Sequence, residues 1–383
     1  MQFSRRSFIR ILGGSAIIMA PIACSPGSEA PDPTAPWTDA VTANNLITFA
    51  LSHALLAPNP HNRQPWMVQL HDETAATLFV DPSKDLPETD PFDRQITIGL
   101  GCFLEVLAIA ANNQGFEAKI DYFPEGFNEQ TLDKKPIAEI KLLRVSSLLP
   151  DPLFSQILYR RTNRKPFTEQ QVTAKNLAAI TEKTLGTNNG FASSAAQIEQ
   201  LRELTVAAAK IEFETPHTYM ESVDLMRIGS AEIAQNPDGI SIDIPMIGLL
   251  KAFGIVSKKA LADQTSSAFK QGLKQYSDAA ASAGNFVWIS TNTNTRIDQI
   301  ETGRTYVRQN LLATKLGLSM QPLSQALQEY PEMQHLLKEA HTITQTDGQR
   351  LQMLARIGYA ATGNASPRFP LSAKLIEHEN NQR

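Results

Sequence analysis

Two long helical stretches constrain this chain more than anything else in it. Ile96–Asn112 is so rich in Leu, Ile, Val and Ala that a helix there has no face suited to water. Thr305–Leu316 belongs to a second long helix over Arg296–Leu316, and both stretches lead into a glycine, Gly115 and Gly317. Glycine adopts the left-handed conformation that closes a helix, so each pair reads as a core helix with its stop. Such helices need packed protein around them. The likeness of the two units hints at a distant duplication, although no short repeat period runs through the chain. A length of 383 residues accommodates one large domain, two ordinary ones or a fused pair.

The surrounding pattern is α+β. Apolar residues at helical spacing run from Thr38 to Leu56, where Pro58 and Pro60 stop them. Met67–Leu70 and Ala76–Val80 alternate as strands around a polar turn, His71-Asp72-Glu73. Ala118–Phe123 and Ile137–Val145 complete a first unit that ends near Ser147. A second unit starts at Asp151, with helices predicted over Leu153–Tyr159, Lys175–Lys183 and Gln197–Glu214. Broken amphipathic stretches follow to Gly284, then a strand over Phe286–Ser290, the helix Arg296–Leu316 and a strand over Gln352–Tyr359.

The N-terminus reads as an address. Ser4-Arg5-Arg6-Ser7-Phe8-Ile9-Arg10 precedes a mild apolar stretch, Ile11–Ala23, too short to span a bilayer. Paired arginines before Ser-Phe-Ile resemble a twin-arginine signal, which implies the twin-arginine export machinery as a partner and a place in the periplasm or cell envelope. Pro21-Ile22-Ala23-Cys24 fits either simple cleavage or a lipid-modified Cys24, the one route to membrane anchoring that the sequence offers. Residues 1–24 are therefore expected to be a signal peptide and 25–37 a Pro/Ser/Ala-rich tether. A net charge of −4 gives no basic field for nucleic acid, and two cysteines with seven scattered histidines support no disulfide framework or metal site.

Several motifs fail on inspection. Gly99-Leu100-Gly101 lacks the third glycine of a dinucleotide fingerprint, having Leu104 there. Ser267-Ala268-Phe269-Lys270 matches Ser-x-x-Lys, but no Lys-Thr-Gly accompanies it, so a penicillin-recognising hydrolase is set aside. Two segments resist dismissal. Pro58-Asn59-Pro60-His61-Asn62-Arg63-Gln64-Pro65-Trp66 places amides between prolines, suited either to the edge of a heteroaromatic ring or to a stiff connector anchored by Trp66. Arg160-Arg161-Thr162-Asn163-Arg164-Lys165 gathers four cations in an acidic protein, suited either to a phosphate or to a solvated loop.

Together with Gly303 through Leu316-Gly317-Leu318, Gly358-Tyr359 and Pro367-Arg368, these two segments resemble the nitroreductase-like FMN proteins. The Asn-x-Gln-Pro-Trp segment precedes the Arg-rich one, reversing the usual order. That order resembles the Acg-type subgroup, in which two halves form a pseudo-dimer in one polypeptide. The resemblance implies an α+β fold of two tandem halves, 38–148 and 149–383, each a mostly antiparallel sheet packed with helices. It implies FMN as cofactor, with Arg160, Arg161, Thr162, Arg164 and Arg368 around the phosphate. Asn59, Asn62 and Gln64 would line the ring or ribityl side, and Ser319, Met320 and Gln321 would lie against the ring. Pro60 stands where the family often has serine, while Thr162 keeps a hydroxyl. No side chain is expected to act as a catalytic base, because the flavin carries the hydride. The implied function is an oxidoreductase passing electrons to a small-molecule acceptor, nitroaromatic or quinone-like, from an unnamed donor; the alternative is a silent FMN-sequestering protein.

Overall fold

The structure is a computed structural model that describes residues 31–43, 45–182 and 185–376. Residues 1–24 and the predicted signal within them lie outside this range. The described residues from Asp32 onward form one compact unit. The expected tether over 25–37 differs from what is seen at its far end: Pro33 accepts the Arg368 N–H at 2.8 Å and Trp37 is buried. A large indole in a Pro-rich stretch is worth more packed than solvated.

The first half contains α1 (Leu46–Ala54), β1 (Trp66–Leu70), β2 (Ala75–Val80), α2 (Arg94–Asn113), β3 (Phe116–Tyr122) and β4 (Ala138–Arg144). Its four strands form an antiparallel sheet in the order β1-β2-β4-β3. After α3 (Ala174–Ile180), β5 (Asn188–Phe191) opens the second sheet. An inserted region then supplies α4 (Ala195–Glu214), α5 (Pro216–Asp224), the parallel pair β6 (Met226–Ile228) and β7 (Ile240–Ile242), α6 (Ile247–Ala252) and α7 (Ser267–Ala281). The chain returns through β8 (Asn285–Thr291), α8 (Arg296–Lys315), β9 (Ser319–Pro322), α9 (Gln334–Thr344) and β10 (Arg350–Gly358). The second sheet is again antiparallel, in the order β5-β8-β10-β9. Matched in chain order, the two sheets have one topology. The fold is α+β, with two tandem sheet-and-helix halves.

The two long helices show the internal symmetry residue by residue. α2 and α8 begin and end 202 positions apart, at 94 and 296 and at 113 and 315, and the glycines that close them, 115 and 317, keep the interval. The helices cross at a point where only glycine fits. A Cβ on Gly101 would stand 2.1 Å from the Ile300 carbonyl, and one on Gly303 would stand 1.9 Å from the Ile98 carbonyl. Since 98 pairs with 300 and 101 with 303, the contact is isologous, each helix offering its partner the same surface. The buried arginines at the helix starts follow the same rule. Arg94 donates across to the Gln352 and Leu327 carbonyls at 2.7 and 2.9 Å, and Arg296 donates back to the Phe92 carbonyl at 2.7 Å.

α2 is the one described helix long and apolar enough to cross a membrane, and here it is buried within the protein instead. Two expected elements changed form. The helix expected over Thr38–Leu56 restarts at Leu46, because the Asn45 side chain caps it by accepting the Thr48 N–H at 2.9 Å. The helix expected over Leu153–Tyr159 shrinks to one 3-10 turn, Phe154–Gln156, because the chain must then extend for Thr162 to bridge Met320.

Candidate functional site

The segment after α1 is held in an unusual conformation. His61, Asn62 and Gln64 all have positive φ (46°, 52° and 51°), a left-handed region that residues other than glycine seldom occupy. Side chains lock the loop in place. The Asn59 amide oxygen accepts the Gln64 N–H at 2.7 Å, and Gln64 donates to the Pro237 carbonyl at 2.7 Å while accepting the Phe369 N–H at 2.9 Å. Asn62 donates to the Pro367 carbonyl at 3.0 Å and accepts from Arg368. Gly99 on α2 allows the close approach: a Cβ there would lie 3.1 Å from Asn59 Cβ. Asn59 faces a cavity, whereas Asn62 and Gln64 hold the loop together behind it.

The arginines also divide into two groups. Arg368 donates to the Leu55 and Ala57 carbonyls at 2.8 and 3.0 Å, and Arg160 donates to the Leu56 carbonyl at 3.0 Å and to Asn310 at 3.2 Å. These are carbonyls at the C-terminal end of α1, where the helix dipole favours cations. Arg161 stacks over Trp37, 4.2 Å from the ring centre. Neither Arg160, Arg161 nor Arg368 lines the cavity. Arg164 does. It makes no hydrogen bond or ion pair with any described residue, and it stays exposed in the cavity lining as a charged guanidinium.

The third segment joins these two. Thr162 bridges Met320, and Asn163 donates through its backbone to the Met320 carbonyl at 3.1 Å and through its amide to the Ser319 hydroxyl at 3.0 Å. Gln321, next on β9, points its amide oxygen at Arg356 Nε (2.7 Å), and its Nε2 donates to no described residue. Arg356 is fully buried, lies over the Phe167 ring at 3.8 Å and donates to the Asn163 and Lys165 carbonyls. It is the brace under the Arg-rich segment.

A cavity of about 280 Å³ is the meeting place. Of the residues expected at a site, Asn59, Thr162, Arg164 and Gln321 line it; Met320 is buried in the core behind, and Ser319 is tied to Asn163. The remaining wall was not anticipated from sequence. Tyr306 comes from α8, Glu212 and Phe213 from α4, Tyr219 from α5 and Tyr276 from α7, with Gln325 and Gln328 closing the far side. Glu212 is buried with Oε2 unpartnered, and burial raises its pKa to about 7, favouring the protonated acid far more than for an exposed carboxyl. His61 has the opposite response: burial, then the charges of Arg164 and Arg63, push it down to about 4 and keep it neutral. A signal for Glu212 existed. It follows Leu201, Leu204 and Ala208 on the buried stripe of α4, a place for apolar residues.

The symmetry-related positions in the other half look different. Where Gly99, Cys102 and Tyr306 adjoin the cavity, their counterparts 202 positions away are Glu301, Arg304 and Leu104. Arg304 binds Glu105 at 2.7 Å and the Tyr122 hydroxyl at 2.5 Å, and Arg308 joins Glu105 and Asp151 at 2.7 and 2.9 Å. Paired side chains occupy the second position, where the first half's counterpart lines the cavity.

No family model matches the chain. It is 25% identical over 344 residues to the Mycobacterium tuberculosis protein named "Putative NAD(P)H nitroreductase Rv3131", covering 87% of this chain and 89% of that one. The chain is thus similar, over most of its length, to a protein named as a nitroreductase. A second M. tuberculosis protein, "Putative NAD(P)H nitroreductase acg", is 31% identical over 137 residues, which are 34% of this chain and 38% of that protein. Among solved structures, a Desulfitobacterium hafniense nitroreductase with bound FMN has a TM-score of 0.37 and 11% identity, over 60% of this chain and all of that one.

Proposed function

We propose that this nitroreductase-like chain is an FMN-dependent oxidoreductase that reduces small nitroaromatic or quinone-like acceptors. The observation that carries the reading is Arg164, a guanidinium with no hydrogen-bond or ion-pair partner among the described residues, in a cavity that also collects Asn59, Thr162 and Gln321. A free planar fork beside a hydroxyl suits a phosphate, and the Gln321 Nε2 donor, which no described residue uses, suits the edge of a conjugated ring among aromatic walls. The site thus fits FMN through Arg164 and Thr162 at the phosphate, with Gln321 and Asn59 toward the ring system. Arg160, Arg161 and Arg368 would act behind them, adding positive potential while bracing the end of α1.

Bound FMN would supply reversible hydride chemistry. Gln321 would orient it, since Arg356 fixes the amide oxygen and leaves Nε2 as a donor of known direction. Tyr219, Tyr276, Tyr306, Phe213 and Met353 exclude water from the wall. Glu212 holds a proton at the cavity near neutral pH, and each hydride passed to a nitro or quinone group must be matched by a proton.

The visible spectrum of the purified protein is the direct test. A yellow protein whose heat-released ligand is FMN, and whose reduced form is rapidly reoxidised by menadione or nitrofurazone, is the expected result. A colourless protein that takes up no added FMN refutes the cofactor reading. A yellow protein that stays reduced with either acceptor identifies a flavin store instead.

A further inference from the structure

We propose that the segment Ile244–Ile255, which projects from the inserted region around α6, is a docking surface for an anionic lipid bilayer. Five of the fourteen exposed large apolar residues among those described, Ile244, Met246, Leu249, Phe253 and Ile255, fall in these twelve positions. Phe253 is 74% exposed and Leu249, one helical turn before it, 53%. α6 has no buried residue at all. Its first residue, Ile247, and Val256 just beyond it are half-buried against the small core formed by Tyr219, Val223, Ile228 and Phe269, which fixes the segment while its other face stays bare. Scattered exposed apolar residues are ordinary; a cluster on one short, otherwise unpacked helix is not.

Charge decides the occupant. From Ile244 to Ala262 the chain has three lysines, Lys251, Lys258 and Lys259, and no acidic residue, in a protein of net charge −4. Asp243 and Asp263 flank the stretch, and Glu232 pairs with Lys251. Lys258 donates to the Asp224 carbonyl at 2.7 Å and acts on Glu232 at longer range, and Lys259 acts on Asp263 at longer range, with no carboxylate within ion-pair distance of either among the described residues. A second copy docking across a two-fold axis would set these lysines against their own counterparts, and lysine is depleted at the centres of protein interfaces. An anionic headgroup layer accepts the lysines at its surface while Leu249 and Phe253 sink toward the acyl chains. The rest of the acidic molecule is repelled by the same layer, so the lobe is the part that turns toward it. β6 and β7 connect the lobe to the cavity, since both Met226 and Ile240 line it. Docking would bring the cavity close to acceptors dissolved in the membrane.

The test is co-sedimentation of the full chain with phosphatidylcholine vesicles, with and without about one third phosphatidylglycerol, alongside light scattering of the protein alone. Leader and tether are the same in every variant, so differences between variants report the lobe. The expected result is preference for the anionic vesicles, weakened by salt. Leu249→Glu with Phe253→Glu, and separately Lys258→Glu with Lys259→Glu, should each reduce binding about tenfold or more with unchanged unfolding midpoints. Equal binding of wild type and both variants overturns the proposal. So does a concentration-dependent doubling of mass that Leu249→Glu with Phe253→Glu abolishes, because that result assigns the surface to a second copy. Neither outcome depends on flavin, so failure here leaves the cofactor reading untouched, and a colourless protein leaves this one standing.

Discussion

Gly303→Ala tests the helix crossing with a definite sign. Alanine is the better helix former, so if the crossing were loose the substitution would stabilise the chain by up to about 1 kcal/mol. The structure says otherwise. The new Cβ would stand 1.9 Å from the Ile98 carbonyl oxygen and 2.8 Å from the Cys102 nitrogen, where contact distances are about 3.5 Å. Both neighbours are helix backbone, which cannot rotate aside as a side chain can, so α2 and α8 must separate by roughly 1.5 Å. Overpacking of this kind ordinarily costs about 1–3 kcal/mol, and here it loosens the whole seam between the halves, so we expect at least about 3 kcal/mol of destabilisation. Against a total of about 5–15 kcal/mol, that is easily seen in urea unfolding followed by circular dichroism, provided the slopes agree. Gly101→Ala, 2.1 Å from the Ile300 carbonyl, should behave alike, and the double variant should lose less than the sum, because helices already parted admit the second methyl. A neutral or stabilised Gly303→Ala would refute the close crossing.

Arg164→Ala should weaken FMN about ten- to a hundred-fold in a fluorescence titration and riboflavin little, since only FMN has the phosphate; equal losses would displace the phosphate site. Glu212→Gln should flatten the pH dependence of stability. With its folded pKa raised to about 7, the native chain keeps a proton that the unfolded chain has released, so wild-type stability falls as pH rises through about 4.5–7, by of order 2–3 kcal/mol. Unfolding midpoints measured across that range should diverge between the two proteins, and parallel curves would contradict the assignment. Arg368→Ala strips charged donors from the Leu55 and Ala57 carbonyls and should cost about 3 kcal/mol in chemical denaturation, whereas a loss under about 0.5 kcal/mol would make the bracing role untenable. Arg5→Lys with Arg6→Lys should leave the precursor in the cytoplasm on cell fractionation, and normal export would exclude the twin-arginine route.

The strongly patterned elements were legible in the sequence. The helix expected over Ile96–Asn112 and the β1–β2 hairpin lie within a residue or two of their places, because apolar periodicity is set by burial. β5 and β9 were missed. Asn188-Asn189-Gly190-Phe191 and Ser319-Met320-Gln321-Pro322 have little strand character of their own, and pairing with β8 and β10 makes them strands. The three segments brought to the site were recognisable as chemistry, but not how each residue is used. That Arg160 and Arg368 cap α1 while Arg164 stays free depends on where the end of α1 lies in space. Glu212 lay in a helix without a motif and Tyr276 in one whose Ser-x-x-Lys match points to a different chemistry, and only folding the insertion back over the crossing makes them part of the wall.

The pairing of α2 with α8 has a genetic consequence. In a homodimer of identical chains, every substitution appears twice, so neither site can change without the other. Here position 99 and its counterpart at 301 are encoded separately. One can remain glycine to admit the loop around Asn59 while the other becomes glutamate beside Arg304. A chain that holds both halves is free to diversify one at the crossing while the other keeps its geometry, and mutations that would disable a symmetric dimer are open to it.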